Sequence, residues 1–113
     1  MLIFKIVPRA LWSEAEATGV FTGAPVDHAD GYIHFSTSAQ ARETARRHFA
    51  GQTDLLLAAF ETDALGPALR WEASRGGDLF PHLYGPLRVA DALWVKDLSW
   101  GADGAHVFPA EVP

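Results

Sequence analysis

The chain has no cysteine among its 113 residues. That removes disulfides, thiolate nucleophiles and sulfur-ligated zinc from its chemistry. It is also short of positive charge, with nine Lys and Arg against fourteen Asp and Glu and a net charge of −5. Neutralising the phosphates of a duplex needs a basic surface, so general nucleic-acid binding is not expected. The longest apolar run, residues 55–60, falls far short of the ~20 residues that span a bilayer. The N-terminus shows neither the charged n-region nor the cleavage pattern of a secretory leader. A soluble, cytoplasmic protein without membrane contact is therefore expected.

What is present fits one globular domain over residues 1–113, since 49% of residues are apolar and 20% charged. Residues 2–7 read as a first strand, rich in β-branched and aromatic residues. Pro8 stands where a helix would begin, with Leu11, Trp12 and Ala15 on its inner face and Gly19 as its stop. Residues 20–30 read as a loop, unusually rich in acidic and imidazole groups. Thr37 and Gln40 match a capping box for a second helix that runs to about Ala50, closed by Gly51 and buried through Ala41, Ala45 and Phe49. Residues 53–61 are too continuously apolar to have a wet face and read as a central strand covered on both sides. Residues 69–74 alternate, with Arg70, Glu72 and Ser74 on one face, and a glycine loop follows at residues 75–78. Pro81 lacks an N–H, which puts residues 79–85 at a sheet edge or outside the sheet. Residues 92–98 and 105–108 read as late strands. Two helices and about six short strands, without regular alternation, favour an α+β fold.

The stretch around which these elements are arranged is Asp30-Gly31-Tyr32-Ile33-His34-Phe35-Ser36-Thr37-Ser38. Asp-Gly gives a turn, and the following residues alternate as a strand does. Ile33 and Phe35 are expected in the core, with Tyr32, His34 and Ser36 together on the other face. The pattern recurs in residues 79–85, where Phe80, His82 and Tyr84 share a face if the segment is extended. Glu72 lies between the two. Aromatic rings with histidines and a carboxylate at their margin suit a nucleotide or a similar heterocycle. For Glu72 the bland alternative is an exposed residue paired with Arg70 or Arg75, and for Phe80 and Tyr84 it is core burial. A His/carboxylate metal site drawn from His28, Asp30, His34, Glu72 and His82 has no local ligand spacing behind it. Ser36 has no nucleophile elbow around it.

The motifs Asp30-Gly-Tyr-Ile-His-Phe-Ser-Thr and Leu79-Phe-Pro-His-Leu-Tyr-Gly resemble a small bacterial family, the domain of unknown function 952, over almost the whole chain. That family looks like a compact relative of the ADP-ribosyltransferase fold, so the resemblance implies a split β-sheet with an NAD-type cleft; no metal is expected. Ser36-Thr37-Ser38 is similar to the strand that supports the nicotinamide cleft in the wider fold. Glu72 is then the candidate for its catalytic glutamate, and Lys5 or Arg9 stands in for its first-strand Arg or His. The expected catalytic residues are Glu72, His34 and His82. The expected ligand contacts are Tyr32, His34, Ser36, Thr37, His82 and Tyr84. Glu72 would polarise a ribose hydroxyl or the incoming nucleophile, His34 would bond the ribose or pyrophosphate, and Tyr84 would stack on nicotinamide. NAD would be substrate for ADP-ribosyl or phosphoryl-ribose transfer. Two other readings stay open: a non-catalytic module that binds a small ligand or protein partner, and a His/carboxylate metallohydrolase.

Overall fold

The computed structural model describes residues 1–113 apart from the side chain of Arg75, so a pairing of Glu72 with Arg75 lies outside the described residues. The chain starts with β1 (Leu2–Pro8) and α1 (Arg9–Thr18). Pro8 precedes the helix, and Gly19 ends it in the left-handed region at φ 85°, donating its N–H to Ala15. The expected loop at residues 20–30 instead contains β2 (Val20–Phe21) and the short helix α2 (Pro25–Asp30). Proline supplies a pre-set φ at the first helical position, and the Asp27 carboxylate accepts the Ala24 N–H at 2.8 Å. Short polar side chains that read as loop formers are here used as caps.

The expected continuous strand after Gly31 is broken. Its pieces are β3 (Ile33–His34) and β4 (Ser36–Thr37), and they belong to different sheets. Phe35 is the crossing point, its N–H donating to the Pro81 carbonyl at 3.0 Å. Pro81 has no N–H to return, so the ladder ends there and the chain is released to its next partner. The second helix, α3 (Ser38–His48), begins at the expected Thr37–Gln40 capping box and stops at Phe49, before Gly51.

Next come β5 (Leu55–Glu61), the one-turn helix α4 (Thr62–Leu65), β6 (Leu69–Ala73), β7 (Leu79–Leu83), β8 (Leu87–Arg88), β9 (Trp94–Trp100) and β10 (His106–Val107). The main sheet has the order β10-β9-β5-β1-β4, a second is β3-β7-β6, and β2 pairs with β8. All of these pairings are antiparallel. As its sequence implies, β5 is central and wet on neither face. Leu56, Ala58 and Phe60 enter one apolar cluster with Trp12 and Phe35, and Leu55, Leu57 and Ala59 enter the other with Phe4 and Ala45.

Pro81 overturns the expectation for its segment, because β7 is the middle strand of its sheet. The missing donor does no harm there, as it coincides with the place where β3 ends. The architecture is a small mixed α/β domain with antiparallel sheets. No helix among the described residues is long and apolar enough to cross a membrane.

Candidate functional site

β3 and β7 bring the two recurring motifs together. His34 and His82 are cross-strand partners, and Arg70 on β6 stands opposite His82 in turn. Directly opposed residues share a face, so His34, His82 and Arg70 project together. Period two adds Phe80, Tyr84 and Glu72 to that face. Tyr32, in the bend before β3, folds over it. Its ring stacks on His82 at 4.0 Å and lies 4.6 Å from His34 and 5.3 Å from Tyr84.

Two hydrogen-bonded groups flank this aromatic centre. In the first, Glu72 Oε1 takes the Tyr84 hydroxyl at 2.8 Å and lies 2.8 Å from His82 Nδ1. The bond from His82, then that from Tyr84, holds the Glu72 carboxyl below its ordinary range, and the same carboxylate raises Tyr84. Arg70 covers the Tyr84 ring at 4.9 Å. Tyr84 is therefore not the free stacking platform the sequence suggests: its hydroxyl is bonded and its ring carries a guanidinium.

The second group was not legible in the motifs. Asp27 on α2 is buried, and so is Lys5 on β1. Lys5 Nζ donates to Asp27 Oδ1 at 3.0 Å, and the same oxygen takes the His34 backbone N–H at 3.1 Å and faces His34 Nδ1 at 2.7 Å. Burial opposes ionisation of Asp27. The His34 bond, the Lys5 charge and the backbone N–H groups of Ala24 and His34 outweigh it and hold the carboxyl well below the usual carboxylate range. An ionised carboxylate only accepts, so Nδ1 of His34 is the donor. The other ring nitrogen, Nε2, lies 2.8 Å from Asp30 Oδ2. Asp27 and Asp30 sit one turn apart on α2, which is why one helix can hold both sides of the imidazole. The excess of acidic residues ahead of β3 was the signal for them.

A cavity of about 550 Å³ adjoins this face. Its position follows from register: β4 pairs only with Ile3 and Phe4, which leaves the rest of β1 unpaired along that edge. Lys5, Ile6 and Pro8 line the opening together with Tyr32, His34 and Ser36. The expected site thus divides. Tyr32, His34 and Ser36 line the cavity, while Glu72, His82 and Tyr84 lie outside its lining and reach it through the Tyr32 ring, which contacts His82 and Tyr84. Ser36 does not share the His34 strand face; its hydroxyl bonds Thr44 at 2.9 Å. Thr37 caps α3 and lies outside the lining. Arg9 is turned away, paired with Asp54 and Asp97, which leaves Lys5 as the first-strand cation at the cavity. His28 bonds neither histidine of the site. Among the described residues no three or more His, Asp or Glu side chains are arranged to hold a metal ion.

A family model described as protein of unknown function (DUF952) matches residues 6–95. The chain belongs to that family. It is similar to the crystal structure of protein CC0527 from Caulobacter crescentus, with a TM-score of 0.91 and 51% identity over 95% of this chain and 94% of that one. The solution NMR structure of CC0527 gives a TM-score of 0.83 and 53% identity, covering 92% and 90%. No curated protein matches.

Proposed function

We propose that the cavity beside His34 binds a nucleotide-type small molecule, with NAD the first candidate. One observation carries this reading: His34, paired across the strands with His82, and the Tyr32 ring that stacks on His82 both line a cavity within the ~300–1,000 Å³ range of small-molecule sites. Aromatic and imidazole edges accept a planar heterocycle, and Ser36 and Lys5 offer donors deeper in. In the transferase form of the proposal, Glu72 is the carboxylate that polarises a ribose hydroxyl. His34, oriented by Asp27, bonds the ribose or pyrophosphate, and His82 fixes Glu72. The similarity of Ser36-Thr37-Ser38 to the supporting strand of the ADP-ribosyltransferase fold favours NAD over other heterocycles.

A second reading has an observation of its own. His34 faces a carboxylate at each ring nitrogen, and Glu72 is already bonded by Tyr84 and faces His82. Groups satisfied within the protein suit a module that binds without turnover. Calorimetric titration with NAD, combined with assay for released nicotinamide, separates the two. Binding with release supports the transferase, and binding without release supports the module. Affinity unchanged in the combined His34→Ala and His82→Ala variant counts against both.

A further inference from the structure

We propose that Lys5 is a carbonyl-reactive amine: an aldehyde or ketone entering along the open edge of β1 condenses with its Nζ to form a Schiff base held against Asp27. This goes beyond nucleotide binding and does not depend on it.

Lys5 is an odd residue for its position. Its neighbours on the same face of β1, Ile3 and Val7, are wholly buried in the apolar core. The Lys5 side chain is only 5% exposed, yet it lines the cavity. An ammonium withdrawn from water is costly, and an apolar residue there would serve the core better. Burial also draws the lysine pKa below its ordinary value, against the pull of Asp27, which favours the neutral amine a nucleophile needs.

The surroundings suit the reaction. Asp27 takes N–H groups from Lys5, Ala24 and the His34 backbone and holds the His34 ring, so it is fixed in place. In the reaction the amine lone pair attacks the carbonyl carbon, and the carbonyl π electrons move to oxygen. That oxygen takes the proton the ammonium gave up and becomes a carbinolamine hydroxyl. The hydroxyl then leaves as water with a second proton, taken from nitrogen, as the C=N bond forms. Ammonium plus carbonyl thus gives iminium plus water, with no change in charge and no oxidant or reductant. The starting ammonium and the product iminium each place one positive charge against Asp27. His34, on the cavity wall with Nδ1 at Asp27 and Nε2 at the half-exposed Asp30, is placed to carry protons between cavity and solvent.

The sequence supplies its own control, because Lys96 is the other of its two lysines. Lys96 is on the surface, paired with Glu111. The test is incubation of the folded protein with pyridoxal and cyanoborohydride at neutral pH, followed by peptide mapping by mass spectrometry. Labelling of Lys5 at least about tenfold faster than Lys96 is the expected result. Lys96 and the N-terminal amine labelled without Lys5, or both lysines labelled at equal rates, would overturn the proposal. The comparison is made within the wild-type chain, so no variant has to fold. Absence of NAD binding would leave this result unaffected.

Discussion

His34 and His82 face each other across adjacent antiparallel strands, their rings 5.6 Å apart. They are forty-eight positions apart in sequence, yet each is tied to a carboxylate through Nδ1, His34 to Asp27 and His82 to Glu72. Two imidazole–carboxylate pairs on one sheet face, joined by the Tyr32 ring, form the physical core of the site.

Asp27→Asn strands the buried Lys5 ammonium without its counter-charge. The expected cost is about 3–5 kcal/mol in denaturant unfolding, the range for breaking a buried pair by removing one partner. Adding Lys5→Met removes the stranded charge. The double variant should therefore be more stable than the sum of the two single changes allows, as a double-mutant cycle would measure.

The same carboxylate sets a pH dependence. Folding lowers the Asp27 pKa, so the unfolded chain takes up this proton more readily than the folded one. Its contribution is complete above the ordinary aspartate range near pH ~4 and is lost progressively as pH falls toward the depressed native value. Unfolding free energy measured across acidic pH should fall for the wild type. It should fall less steeply for Asp27→Asn.

Glu72 is the acceptor for His82, which requires the proton on Nδ1 when the ring is neutral. Nitrogen NMR of the imidazoles should show that tautomer at His82. Glu72→Gln should change the His82 pattern and leave His106, bonded to the Gln52 carbonyl, as it was.

Gly31 ends α2 at φ 87°, and a Cβ there would meet nothing within 4 Å. The cost of Gly31→Ala is therefore backbone strain alone, about 1–2 kcal/mol. Because Tyr32 follows directly, its contact with His82 should loosen. Chemical shifts of the His82 ring protons would report that change.

The elements most legible in the sequence were those specified by local chemistry. Thr37 and Gln40 announced α3, Gly19 announced the end of α1, and the unbroken apolar run of β5 announced a doubly covered strand. The shared face of Phe80, His82 and Tyr84 followed from period two. What stayed hidden depended on partners distant in sequence. Pro81 carries a local rule against central strands, but only the departure of β3 at Phe35 shows why the rule is harmless here. Tyr32, His34 and Ser36 alternate perfectly, yet the chain changes sheets between His34 and Ser36. The burial of Lys5 against Asp27 stayed hidden because its counter-ion is twenty-two positions away on a helix of six residues.

Whether the cavity lined by His34 takes a nucleotide-type ligand is decided by NMR titration of the isotopically labelled protein with NAD. Saturable shifts are expected at Lys5, Tyr32, His34 and Ser36, with smaller ones at Glu72, His82 and Tyr84. Signals that stay still at these residues up to millimolar NAD, or that move only on the remote face formed by β9 and β10, would contradict it.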